Sequence, residues 1–176
     1  LGKSRGALGS ATAVNDDDVL GSIFFNGADG TDTISYGAEI RCQVDGTPGS
    51  NDMPGRLAFF TTADGAATST ERMRINSSGY IGINQSNPAS LLHITAGNNR
   101  AAIRLENTAD NPDNVWELDP SVSGVSNTGF TLRDITNSRN ALTIDGSGNS
   151  TFAGTVSDSK GNLRSIPQNN QTSSAY

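Results

Sequence analysis

The chain has 176 residues, 34% of them hydrophobic and 6% aromatic, with a formal net charge of −6. Asn, Ser, Thr and Gly supply 76 residues against four Glu and two Lys, a composition so poor in strong helix formers that it argues against a helical fold. No apolar run approaches the roughly 18 residues of a membrane helix, the scattered Lys and Arg form no basic cluster for nucleic acid, and one cysteine excludes an intrachain disulfide.

The opening Leu1-Gly2-Lys3-Ser4-Arg5 has no apolar core of the kind a signal peptide needs, and none is expected there. Residues 1–18 are rich in Gly, Ser and Ala and read as an extended, loosely held opening segment. It ends on Asp16-Asp17-Asp18. Three consecutive carboxylates on a strand cannot all face one ion, so a solvated turn is expected rather than a metal site.

Eleven strand-like runs follow. They are Val19–Phe25, Glu39–Val44, Arg56–Thr61, Glu71–Ile75, Tyr80–Ile83, Leu91–Thr95, Ala101–Glu106, Val115–Leu118, Phe130–Ile135, Ala141–Ile144 and Ser150–Val156. Each is short, several alternate apolar and polar residues, and each is bounded by Gly, Asn, Asp or Ser, the pattern of many short β-strands. The separators Ala28-Asp29-Gly30, Val44-Asp45-Gly46, Ala63-Asp64-Gly65, Asn76-Ser77-Ser78-Gly79 and Asp145-Gly146-Ser147-Gly148 carry hairpin chemistry. Asp and Asn bond their own backbone, and Gly accepts positive φ.

Two stretches echo one another. Gly21 to Gly30 returns as Gly55 to Gly65, and the Met73 to Ile83 hairpin returns as Leu142 to Phe152, offsets of 34 and 69 residues. Three β modules are expected, 19–54, 55–100 and 101–156, followed by a polar linker or the start of a further domain over 157–176. The expected fold is all-β, an elongated array of short antiparallel strands and hairpins. So lean a sequence buries too little apolar area to offset backbone entropy of about 1–2 kcal/mol per residue. Association of several chains, such as three wound about an axis, would bury the apolar faces and cover the free strand edges, so an obligate oligomer is expected. Its interface candidates are Ile23, Phe25, Leu57, Phe59, Ile75, Ile81 and Ile83.

The stretch Gly55-Arg56-Leu57-Ala58-Phe59-Phe60-Thr61-Thr62-Ala63-Asp64-Gly65, with Thr70-Glu71-Arg72-Met73-Arg74-Ile75, Ser78-Gly79-Tyr80-Ile81-Gly82-Ile83, Asn87-Pro88 and Leu91-Leu92-His93-Ile94, resembles a segment of bacteriophage tail fibre proteins. It is closest in kind to those of phages that infect cyanobacteria and other marine bacteria. Lys3-Ser4-Arg5-Gly6, Asp45-Gly46-Thr47-Pro48-Gly49 and Ser157-Asp158-Ser159-Lys160-Gly161-Asn162-Leu163-Arg164 are similar to that family too. The resemblance implies a homotrimeric shaft or connector of a virion, extracellular after release. Its partners would be itself, other tail or baseplate proteins, and a host surface glycan or protein receptor, with no nucleic acid and no membrane insertion. Many such fibres end in a self-cleaving chaperone. No Ser region followed by a Lys-rich helix is evident in this chain.

No enzyme, metal or cofactor is expected. His93, the one histidine, lies in an apolar run without a nucleophile elbow, and a packed strand residue is the reading. Glu39, Glu71, Glu106, Glu117, Asp119 and Asp134 would be the carboxylates of a depolymerising glycosidase. Cross-strand ion pairing, such as Glu71 with an Arg, is the expected alternative. The Asp29-Gly30-Thr31-Asp32 and Asp145-Gly146-Ser147-Gly148 loops lack the spaced acids of a calcium loop. Cys42 reads as a small buried hydrophobe. Tyr36, in a loop, is the expected exposed receptor contact. Trp116 is a second candidate, though core or interface packing suits its run better. If the chain is instead a receptor-binding tip, a glycan is the expected ligand.

Overall fold

The computed structural model describes residues 2–97, 100–109, 113–121 and 129–154. The 157–176 segment, and the end of the Ser150–Val156 run, lie outside the described residues. Among those described there is no helix. Eleven strands form two compact units, residues 1–97 and 98–176.

The first unit is a six-stranded sheet in sequence order. It comprises β1 (Val19–Gly27), β2 (Ser35–Val44), β3 (Gly55–Thr62), β4 (Ser69–Ile75), β5 (Ile81–Ile83) and β6 (Leu92–Ile94). The second unit is a five-stranded antiparallel sheet ordered β11-β10-β9-β8-β7. It comprises β7 (Ile103–Asn107), β8 (Asn114–Asp119), β9 (Gly129–Asp134), β10 (Arg139–Asp145) and β11 (Ser150–Phe152). Strands from 19–54 and 55–100 thus share one sheet.

One pairing departs from the antiparallel expectation: β5 and β6 are parallel. Residues 84–91 reverse the chain between them and are held by specific bonds. Arg74 Nη1 donates to the Ser86 carbonyl at 2.6 Å, and the Asn87 amide donates to Gln85 Oε1 at 2.9 Å. The crossover lies against Gly82, where an added Cβ would run into the Gln85 carbonyl. Only glycine leaves room for so tight a parallel return.

The two echoes come out differently. In the longer-range pair, Ile75↔Ile81 and Met73↔Ile83 correspond to Ile144↔Ser150 and Leu142↔Phe152. The turns match bond for bond. Asn76 Oδ1 accepts the Ser78 and Tyr80 amides, and Asp145 Oδ1 accepts the Ser147 and Asn149 amides. Gly79 and Gly148 take φ of +77° and +82°. Each is a type I turn closed by a glycine bulge. The Gly21 and Gly55 echoes instead become β1 and β3, on either side of β2, with Ile23↔Ile40↔Phe59 in register. The inserted residue puts Phe24 on the opposite face from Phe59.

The 2–18 segment is tied to the first sheet. The Val44 amide donates to the Asp18 carbonyl at 2.9 Å, and Val14 and Val44 are fully buried there. The three aspartates diverge, and each is bonded within the fold where the sequence reading expects a solvated turn. Asp16 Oδ1 accepts the Gly46 amide, Asp17 Oδ1 takes Arg56 at 2.5 Å, and Asp18 takes Arg5 in a bidentate pair at 2.6 and 2.8 Å.

Candidate association surface

Registered partners in a sheet share a face. The first sheet therefore carries one apolar row from strand to strand: Ile23, Ile40, Phe59, Met73, Ile83 and Ile94. A second row runs beside it through Gly21, Cys42, Leu57, Ile75, Ile81 and Leu92. Phe25 extends the face opposite Ala38. All seven residues expected at the trimer interface, Ile23, Phe25, Leu57, Phe59, Ile75, Ile81 and Ile83, lie on this face.

The opposite face holds charge. Glu39 accepts a bidentate pair from Arg41 at 2.7 and 2.5 Å and the Ser22 hydroxyl at 2.6 Å. The Arg41 guanidinium lies 4.4 Å over the Phe60 ring, a cation–π contact. Glu71 does not pair across strands as expected. A bulge between Phe59 and Phe60 leaves Arg72 as the extra residue, which turns Glu71 onto the face of Arg74. That same-strand pair closes at 2.6 and 2.7 Å. Arg56 donates to Asp17, to Asp45 at 3.1 Å and to the Val44 carbonyl at 3.2 Å.

Burial is the reverse of what the two faces would suggest. Glu39, Gln43, Arg56 and Ala58 of the charged face are buried, whereas Ile23, Leu57, Ile75 and Leu92 of the apolar face are exposed, Ile23 by 56% and Leu92 by 51%. Ala58, which stands in register between Arg41 and Arg74 on the charged face, has no exposed surface. Among the described residues only Val14, Val44, Ala58 and Val115 are fully buried hydrophobics. The apolar row is the surface a core would present, and Ile23, Leu57, Ile75 and Leu92 upon it are exposed among the described residues.

The second unit repeats the arrangement. Its apolar face registers Ile103, Leu118, Leu132, Leu142 and Phe152. Leu105 is exposed by 60% and Phe152 by 50%. Trp116 is half-buried on this face, in a row beside the apolar one that registers Leu105, Trp116, Asp134 and Arg139. On the charged face Glu117 stands in register between Arg104 and Arg133. It also pairs with Arg100, which reaches Asp119 at 2.9 Å. Here cross-strand pairing is what the sequence predicts.

The remaining candidates have structural partners. His93 Nδ1 accepts the Ala89 amide at 3.2 Å and so fastens the crossover turn to β6. Asp134 is buried and held below the usual carboxylate range, first by the Asn137 side chain and also by Arg139. Glu106 lies 3.6 Å from Arg104. Asp145 is held low by Asn149 and the turn amides. Cys42 is half-buried in the apolar row. Among the described residues no group of three His, Cys, Asp or Glu could hold a metal.

Tyr36 is exposed as expected, but it lies in β2, paired with Asn26 of β1, and not in a loop. Gly37 is an extra residue opposite β1, and this bulge turns Tyr36 to the charged face, with its ring 5.3 Å from that of Phe24. It is 47% exposed. A 410 Å³ cleft opens beside it, lined by Gly27, Asp29, Ser35, Thr62 and Ala66. Asp29 organises the loop by accepting the Thr31 and Asp32 amides and the Ser35 hydroxyl, which lower its pKa.

The fold is thus an all-β one in which each sheet's apolar face holds exposed large residues among those described. No protein-family model matches the chain, and no curated protein matches it. Among solved structures it is similar to the carboxy-terminal domain of the bacteriophage T5 L-shaped tail fibre, at 10% identity and a TM-score of 0.44, over 98% of this chain and 94% of that one. It is also similar to that domain with its intra-molecular chaperone domain, at 10% identity and a TM-score of 0.44, over 94% of this chain and 63% of that one.

Proposed function

We propose that the chain is a non-enzymatic structural segment of a phage tail fibre, assembled as a homotrimer through its apolar sheet faces. One observation carries this: in both units large apolar residues of the apolar face stay exposed, Ile23, Leu57, Ile75 and Leu92 in the first and Ile103, Leu105, Leu118 and Phe152 in the second, while Glu39, Gln43, Arg56, Glu117 and Asp119 of the charged faces are buried. A sheet with that inversion is incomplete alone, and three copies facing a common axis would complete it. The resemblance of the 55–94 sequence to tail fibre segments supplies the biological setting. Shaft or connector is the role, in the virion and extracellular after release. Other tail or baseplate proteins would be partners at its ends, and rigidity and avidity its contribution to host attachment.

Phe59→Asp tests this reading. It should yield monomers in sedimentation velocity while the β-type circular dichroism of the unaltered charged face persists. A trimer of undiminished mass would refute it.

The Tyr36 cleft favours a second reading, a receptor-binding tip for a surface glycan. An aromatic wall suits the C–H face of a pyranose, and the small residues around it admit the ring. Binding on a glycan array that disappears with Tyr36→Ala would support that reading, and no binding by the intact protein would remove it.

A further inference from the structure

The four sheet edges are not alike. Free strand edges invite uncontrolled pairing, and proteins blunt them by shortness, charge or proline. β6 and β11 have three residues each. β7 carries Arg104 and Glu106, which pair with one another. β1 has none of these protections. It runs nine residues, Val-Leu-Gly-Ser-Ile-Phe-Phe-Asn-Gly, without a charge or a proline, and pairs with β2 alone. Ile23, Phe24 and Phe25 are each about half exposed, at 56%, 50% and 52%. They alternate faces, so both sides of this edge are apolar. A 310 Å³ cleft beside it, lined by Leu20, Gly21, Ile40, Cys42 and Leu57, is open to an incoming apolar side chain.

The other end of the same apolar stripe is β6. There Leu91 and Leu92 are exposed by 74% and 51%. We infer that the β1 edge is a strand-pairing seam, occupied by the β6 edge of a second copy of this chain. The inference rests on self-association through the apolar face and specifies how the copies join. Joining β1 of one copy to β6 of the next continues the apolar stripe and covers the β1 edge over the three residues that β6 offers, with the outward Leu92 carbonyl exchanging its bond from the Ser90 hydroxyl. A contact between two different surfaces closes into a ring when the rotation closes.

Strand directions fix the sense of the seam. β1 to β5 alternate, and β6 runs parallel to β5, so β6 and β1 point the same way. In a ring whose axis runs along the strands, rotation preserves direction and the seam is parallel. Its bonds use the outward-facing amides that β2 does not engage.

Residue-resolved hydrogen exchange on the assembled full chain tests this, read beside its solution mass. The expected result is protection of every amide across Ile23–Gly27 and of the outward amides of β6, slowed about a hundredfold or more relative to loop amides. An oligomer with alternating protection in β1 would overturn the seam and leave face association standing. Protection of β1 with a free β6 edge would mean that β1 pairs with β1, and would also overturn it. A monomer would overturn face association and the seam together.

Discussion

Arg56→Met is the most informative single change to the charged face. Arg56 is only 8% exposed, and its guanidinium bonds Asp17, Asp45 and the Val44 carbonyl. Methionine keeps the stem's packing and removes the charge. The Asp17 bond contributes little, because that carboxylate is 76% exposed and exposed ion pairs give about 0–1 kcal/mol. Asp45 is different. Burial alone would raise its carboxyl, yet bonds from Ser77 and Arg56 together hold it below its ordinary range. Val44, whose carbonyl Arg56 also meets, has no exposed surface. Losing a charged hydrogen bond to a partly buried partner costs about 1.5–3 kcal/mol, while the Val44 carbonyl keeps the Asp17 amide at 3.1 Å and is not orphaned. For a unit of this size that cost is a fall in Tm of about 6 °C or more, measured at one fixed protomer concentration. Asp17→Asn should cost less than about 1 kcal/mol. If Arg56→Met melts within about 2 °C of the parent, the charged face is not the stabilising layer described here.

Three further outcomes follow from the same geometry. Gly82→Ala should destabilise or abolish folding of the first sheet by thermal melt, because its Cβ would meet the Gln85 carbonyl; an unchanged Tm would refute the tight crossover. Asn76→Ala should cost about 1 kcal/mol in denaturant titration, and Asp145→Asn should melt above Asp145→Ala, because the amide keeps the acceptor the turn uses. Equal melting of the two Asp145 variants would contradict that role. Glu39, Asp45, Asp134 and Asp145 all have lowered pKa values in the folded chain. Their contribution is present above the unfolded carboxylate range, near pH 4, and is lost as pH falls through the folded values. Stability should be flat from pH 7 to 5 and fall below about 4, and a chain stable to pH 2 would refute this.

The strands were legible because each carries its own signal. Alternation in Glu39–Val44 and a turn such as Asp145-Gly146-Ser147-Gly148 are local facts, and each of the eleven runs holds a strand, although β2 begins at Ser35, four residues before the expected run, and β11 is a strand only over Ser150–Phe152 among the described residues. The matched 73–83 and 142–152 hairpins were legible for the same reason. What escaped the sequence depends on where the chain gains one residue. The bulge at Arg72 turns Glu71 toward Arg74, and the one at Gly37 turns Tyr36 to the charged face. A period-two reading cannot see such a slip. The parallel β6 was hidden because residues 84–91 resemble an ordinary hairpin connection, and the cue was the bare position at Gly82. The seven interface candidates fell on one face because period-two spacing within each strand fixes facing. Which face is buried was not legible, since it depends on which side chains stand beside one another once the sheet exists.

The solution mass of the purified chain, by size exclusion with light scattering, tests the central claim most directly. Three chains of 18.3 kDa should run as one species of about 55 kDa that stays intact on dilution. A folded, stable monomer of 18.3 kDa would contradict the claim that the exposed apolar faces are completed by further copies of this chain.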